Sequence, residues 1–130
     1  MSDRIAQELA LLREFYPALE YREAGHWVRI PQYTLPPSGE WTQVDVTIAF
    51  QLPGELPAVQ PYAFWVMPVL TLQSNGQILN AIVSAEPPWT GPWLKFSWAP
   101  VAWVPTNDVR TGSSMLSFVV SFAQRLAEGA

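Results

Sequence analysis

The chain has 130 residues, a formal net charge of −4 and no cysteine. This length predicts one domain, residues 1–130, with a complete hydrophobic core. Only seven residues are lysine or arginine and they form no basic run, which argues against nucleic acid as a partner. The absence of cysteine excludes disulfides, thiolate metal sites and thiol nucleophiles. With a single histidine, His26, we expect no metal and no cofactor.

The composition also indicates where the protein is found. No apolar run approaches the roughly 18 residues that a membrane-spanning helix needs. The N-terminal segment carries Asp3 and Glu8 within its apolar pattern, which is not typical of a secretory signal. We therefore expect a cytoplasmic protein that does not contact a membrane.

The first element predicted along the chain is a helix from Asp3 to Tyr16. Apolar residues recur at helical spacing from Ile5 onward, and Pro17 prevents the helix from continuing. Ser2 is a candidate for the cap at its start.

Four strands are predicted next, in the order of an antiparallel meander. The clearest one contains apolar residues that alternate with other residues from Val44 to Leu52, which places one apolar row on one face. Pro31 and Pro36 restrict the second strand to an edge or an irregular course. The predicted strands are Leu19 to Ala24, His26 to Leu35, Gln43 to Leu52 and Tyr62 to Val66.

The segment from Thr71 to Thr111 is rich in tryptophan and proline, and no regular structure is predicted in it. One ring offers about 150–250 Å², so four exposed rings would exceed the roughly 300–600 Å² of the largest apolar patch on an ordinary monomer. We therefore expect at least two of its tryptophans to be buried and the segment to be an ordered loop. The four tryptophans are Trp89, Trp93, Trp98 and Trp103.

A second helix is predicted from Ser113 to Ala127, with Ser113 or Thr111 as its cap. The predicted architecture is therefore α+β: an N-terminal helix, a four-stranded antiparallel meander, a long irregular segment rich in Trp and Pro, and a C-terminal helix.

This order, together with several short motifs, resembles the ubiquitin-conjugating enzyme superfamily. Its members carry a strand ending in a Phe-x-x-Pro-like step, a proline-containing loop, a strand that runs into a proline, and an Asn-Gly-x-Ile-Cys segment. A Trp-x-Pro step then precedes the C-terminal helix, as Trp103 to Pro105 does here. The other corresponding stretches are Phe50 to Pro53, Leu56 to Pro61, Phe64 to Pro68 and Asn75 to Leu79.

More narrowly, the chain looks like the bacterial branch that occurs beside ubiquitin-like proteins and their activating enzymes. That branch has a Trp-rich segment leading to a Trp-x-Pro-x-x-Asp-like stretch, to which Trp93 to Trp98 and Trp103 to Asp108 are similar. The resemblance covers Leu19 to Leu126 and implies one domain of that fold.

The chain departs from the superfamily where the catalytic cysteine would stand, because Leu79 occupies that position. The family accepts a ubiquitin-like C-terminus as a thioester and transfers it to an amine, which requires a thiolate. The resemblance thus implies a pseudoenzyme that binds a ubiquitin-like protein or its activating enzyme. The site residues implied are Asn75, Gly76, Leu79 and Asn80 in the active-site segment, with Trp98, Trp103, Pro105 and Asp108 shaping the site.

Other hypotheses stay open. The chain could be an active conjugating enzyme whose cysteine was replaced, with Ala81, Ser84 or Ala85 as candidate positions, or a hydroxyl or carboxylate could carry unfamiliar chemistry. It could also be an RWD-like domain that binds proteins unconnected with ubiquitin, or an aromatic-lined sugar-binding module. A general-base role for His26 is weaker than a structural one, because no nucleophile accompanies it in the sequence.

Overall fold

The computed structural model describes residues 3–130, and the protein it shows is an α+β fold. A helix at each end of the described chain flanks one antiparallel sheet of six strands, in the order β1-β2-β3-β4-β6-β5. Within residues 3–130, no helix is both long and apolar enough to cross a membrane. The elements are α1 (Asp3–Phe15), β1 (Glu20–Arg22), β2 (Trp27–Thr34), a short 3-10 helix (Pro37–Gly39), β3 (Asp45–Gln51), β4 (Phe64–Met67), β5 (Ala81–Ser84), β6 (Trp93–Phe96) and α2 (Met115–Glu128).

The sheet differs from the predicted four-stranded meander by two strands. The first four strands are present with bounds that differ from the predicted ones by one or two residues, but β5 and β6 come from the segment that was predicted to be irregular. β6 pairs with β4, and β5 pairs with β6 to form the outer edge of the sheet. Each of these strands has only four residues, too few for an alternating pattern to stand out, and the prolines of this segment lie outside them.

The main core lies between one face of the sheet and the two helices. Helix α1 contributes Ile5 and its apolar neighbours, as the helical spacing predicted. Phe122 of α2 stacks on Phe64, with ring centroids 4.1 Å apart, and meets Phe50 edge-on at 5.9 Å. The α2 stripe therefore faces the middle strands β3 and β4.

The other face of the sheet carries a second core made of tryptophans. Trp89 enters it from the loop between β5 and β6, and the guanidinium groups of Arg22 and Arg29 lie 5.4 and 4.8 Å from its ring centroid. Trp89 and Trp93 are only 8% and 0% exposed, which confirms that at least two of the four tryptophans are buried. The loop they anchor is thus an ordered cover for this face.

The start of α2 shows a capping arrangement at a different residue from the ones predicted. Ser114, rather than Ser113 or Thr111, is the N-cap, and its side chain accepts a hydrogen bond from the backbone N–H of Ser117. The predicted cap of α1, Ser2, lies outside the described residues.

One prediction about the strands is confirmed and one needs correction. β2 pairs with both β1 and β3, and the register shift between Ile30 and Tyr33 gives it the irregular course that was one of the two predicted outcomes. Val44 does not belong to the buried row of β3, since that strand begins at Asp45 and the Val44 side chain is 71% exposed.

Candidate functional site

The segment that resembles the superfamily's active-site loop is held by its backbone and presents its leucine to solvent. The Nη2 of Arg125 donates a hydrogen bond to the carbonyl oxygen of Leu79 at 2.7 Å. The backbone N–H of Ser97 donates to the carbonyl of Asn80 at 2.9 Å. The Leu79 side chain remains 56% exposed. The result is a fixed backbone that carries an uncovered apolar side chain.

Both asparagines of this segment have a conformational role. Asn75 and Asn80 adopt φ values of 58° and 57°, in the left-handed region that asparagine tolerates better than most residues. The backbone N–H of Asn75 bonds to the carbonyl of Leu72 at 2.9 Å, and that of Gly76 to the hydroxyl of Ser74 at 3.2 Å. Turn geometry therefore accounts for Asn75 and Asn80 as residue types.

Arg125 is the residue that sequence analysis missed at this site. It lies on the apolar stripe of α2 and is buried, with its guanidinium 4.9 Å from the ring centroid of Phe96. Its Nη1 donates to the carbonyl of Gly129 at 2.8 Å. Burial lowers the pKa of Arg125 from its usual value, while Glu128 acts in the opposite direction. A charged residue in line with Phe118 and Phe122 on a helix was the available signal.

A small cleft of about 270 Å³ adjoins Leu79. Its volume lies just below the roughly 300–1,000 Å³ of typical small-molecule pockets. Lys95, which lines it, pairs with Glu86 at 3.2 Å and lies 5.2 Å from the ring centroid of Trp65. The lining also includes Tyr62, Asn80, Ile82 and Ser97, from several elements that only the fold brings together.

The two predicted site tryptophans are half-buried and hold the chain between β6 and α2. The Nε1–H of Trp98 donates to the hydroxyl of Ser121 on α2 at 3.0 Å. The Nε1–H of Trp103 donates to the carbonyl of Pro57 at 2.8 Å. Trp98 directly follows Ser97, so it lies next to the Leu79 segment, whereas Trp103 contacts the loop after β3.

Pro105 and Asp108 lie in a different place. Pro105 forms an isolated bridge with Gly112, and an Asp108 carboxylate oxygen accepts the backbone N–H of Arg110 at 2.9 Å. This turn precedes the start of α2, whereas Arg125 and Leu79 meet near the end of that helix. A helix of 14 residues is about 21 Å long. The structure therefore separates these two residues from the Leu79 segment.

His26 lies outside both groups. Its Nδ1 is 2.7 Å from the hydroxyl of Tyr21, and its carbonyl accepts the backbone N–H of Leu52. It borders a shallow cleft of about 450 Å³ that Gln51 and Tyr62 also line. Among residues 3–130, no group of three or more His, Cys, Asp and Glu side chains is placed to hold a metal ion.

Comparison with known proteins gave no relative for this chain. No protein-family model, no curated protein and no solved structure matches it.

Proposed function

We propose that this chain is a non-catalytic relative of ubiquitin-conjugating enzymes that binds a ubiquitin-like protein or its activating enzyme in a bacterial modification pathway. The Leu79 segment is the observation that carries the proposal. Its backbone is fixed by Arg125 and Ser97, while the Leu79 side chain is exposed beside a cleft. Because the chain has no thiol, this geometry suits binding rather than acyl transfer through a thioester.

The order of elements supports the same proposal. An N-terminal helix, strands β1 to β4 as a meander and a C-terminal helix follow the arrangement that the resemblance implies. The hairpin of β5 and β6 is an addition to that arrangement, and it lies directly after the Leu79 segment. A partner bound at Leu79 would therefore also meet this hairpin.

The exposed apolar side chains are sufficient for moderate affinity. Leu79 and Ile82 are each more than half exposed, and their burial in an interface would contribute roughly 2–4 kcal/mol together. Association costs offset part of this gain, so further contacts along the cleft are required for stable binding.

The test mixes the chain with ATP and with an activating enzyme and ubiquitin-like protein of a bacterial modification pathway. Intact-mass spectrometry and a sizing column are applied to the same sample. We expect co-elution with one partner and no covalent adduct. An adduct on the unaltered chain would show that a residue other than cysteine accepts the modifier, and absence of both adduct and co-elution would remove the ubiquitin-related proposal.

A cysteine substitution tests whether Leu79 stands at the active-site position. We expect Leu79→Cys to form a thiol-sensitive adduct with the ubiquitin-like protein, because the activating enzyme would then meet a thiol in the conjugating position. Val44→Cys is the matched control, since Val44 is also exposed but lies before β3. Equal labelling of both variants, or of neither, would argue against the equivalence of Leu79 and the catalytic cysteine.

The same experiment tests the alternative that the chain is an active conjugating enzyme whose cysteine was replaced at another position. Of its candidate positions, Ser84 is already engaged, because its hydroxyl accepts hydrogen bonds from Trp65 Nε1 and from the backbone N–H of Glu86, each at 3.2 Å. Ala81 lies in β5 and Ala85 directly after it. An adduct on Ala81→Cys or Ala85→Cys, but not on Leu79→Cys, would favour that alternative.

A further inference from the structure

The outer edge of the sheet at β5 has the features of a strand-pairing surface. β5 has a neighbour, β6, on one side only. Its sequence, Ala-Ile-Val-Ser, is uncharged and rich in β-branched residues. Ile82 and Val83 are 65% and 63% exposed. Natural proteins usually protect an edge strand with a lysine, a proline or a bulge, and β5 has none of these.

We propose that two copies of this chain pair through β5, antiparallel to each other, about a two-fold axis perpendicular to the sheet. Such an axis joins identical surfaces and keeps corresponding faces of the two sheets on the same side. The backbone groups of β5 that point away from β6 then find hydrogen-bonding partners in the second copy. This inference concerns the chain alone and does not depend on the proposed function.

The side chains of β5 favour one register for this pairing. Ile82 lies opposite Lys95 within the monomer and Val83 opposite Leu94, so the two side chains point to opposite faces. If the two-fold axis passes beside Ile82, the Ile82 residues of the two copies face each other, and Val83 of one copy faces Ala81 of the other. All pairs formed by Ala81, Ile82 and Val83 are then apolar. With Val83 on the axis instead, Ile82 would face a serine.

Charge does not oppose the pairing. β5 itself carries no charge, and the nearest cation on its pairing partner β6 is Lys95. In the dimer the two Lys95 residues lie three strand spacings apart, about 14 Å. This exceeds the Debye length of about 10 Å at 0.1 M salt. Lys95 is in addition paired with Glu86 in each copy.

The size of the edge predicts a weak and reversible dimer. One four-residue strand and the neighbouring Leu79 form the contact, which places the interface at the low end of specific interfaces, below about 1,200 Å² in total. Interfaces of this size do not support nanomolar affinity without large anchors. We expect a dissociation constant on the order of 10–1,000 µM.

The test is sedimentation of the full chain over a wide range of concentration. The weight-average mass should rise from 14.6 kDa toward twice that value between about 5 µM and 1 mM. A single monomeric mass at every concentration would overturn the proposal.

Variants locate the contact. Ile82→Glu places a carboxylate opposite Lys95 within the monomer, where it is favourable, and against an identical carboxylate in the dimer. We expect at least a tenfold loss of self-association with no loss of folding. Val44→Glu, which makes the same charge change before β3, should associate like the unaltered chain. Equal association of both variants would overturn the assignment to β5.

A charge-swap mixture tests the register. Ile82→Lys alone should associate weakly, whereas an equimolar mixture of Ile82→Lys and Ile82→Glu should form a heterodimer, because opposite charges then meet on the axis. Failure of the mixture to exceed either variant alone would overturn the register with Ile82 on the axis.

Discussion

Each end of α2 is bonded by a buried charged side chain, but the two side chains have different roles. At its start, the buried carboxylate of Glu8 accepts the backbone N–H of Met115 at 2.8 Å. At its end, the buried guanidinium of Arg125 donates to the carbonyls of Gly129 and Leu79. An anion at the start and a cation at the end both complement the helix dipole. Glu8 joins two helices inside the core, whereas Arg125 supports an exposed segment.

The two ends of α2 differ in solvent exposure: the start, which we call the closed end, is buried, and the other, which we call the open end, supports an exposed segment. Glu8 and Met115 are fully buried, and Arg4 completes the junction through an ion pair with Glu8 at 2.9 Å and a hydrogen bond to the carbonyl of Thr106. At the other end, the buried guanidinium of Arg125 bonds to the backbone of Leu79, and the Leu79 side chain is exposed to solvent. The first end is therefore expected to control stability, and the second to control both stability and recognition.

Removal of the carboxylate at the closed end should have the largest effect. Glu8→Ala leaves Arg4 without its partner and the N–H of Met115 unbonded, so we expect a loss of about 3–5 kcal/mol in the free energy of unfolding, measured by chemical denaturation. Glu8→Gln keeps an acceptor for Met115 and should cost roughly half as much. A cost below about 1 kcal/mol for the alanine variant would show that the junction is not a stabilising element.

Removal of the guanidinium at the open end should have a smaller effect on stability and a local effect on mobility. Arg125→Met preserves packing on Phe96 but leaves two carbonyls unbonded, so we expect a cost of about 2–3 kcal/mol. Amide exchange should accelerate between residues 77 and 82 and remain slow in α1. Uniform acceleration along the chain would mean that Arg125 supports the whole fold rather than the Leu79 segment.

Ionisation of a half-buried tyrosine, Tyr33, should have the smallest effect on stability, and only at alkaline pH. Burial, with a contribution from Tyr16, raises the pKa of Tyr33 to about 12, above its usual value of 10.0. Tyr33 ionises at a lower pH in the unfolded chain than in the folded protein. Its contribution to the free energy of unfolding is therefore intact below pH 10 and is lost as the pH rises toward the folded pKa. We expect a loss of about 1 kcal/mol by pH 11. Burial also raises the pKa of Tyr16 and of Tyr21, so tyrosinate absorbance should show several late-titrating groups, of which Tyr33→Phe removes the last.

The helices could be predicted from the sequence, whereas the two outer strands and the surroundings of Leu79 could not. The apolar spacing of α1 and of α2 is visible over long stretches, so both helices were placed to within two residues. The strands β5 and β6 were missed because four residues carry no detectable period, and their pairing joins residues distant in the chain. The side chains that surround Leu79 could not be predicted, because they come from several elements that only the fold brings together.

By itself, the sequence determined that this protein has two helices around a β-rich centre, buried tryptophans in an ordered segment and no thiol chemistry. These properties depend on residue type and on local spacing. Only the tertiary structure decided that Arg125 holds Leu79, that Asp108 lies at the far end of α2 from Leu79, and that β5 is an open edge. The reason is that each of these depends on contacts between residues far apart in the chain, which no local pattern encodes.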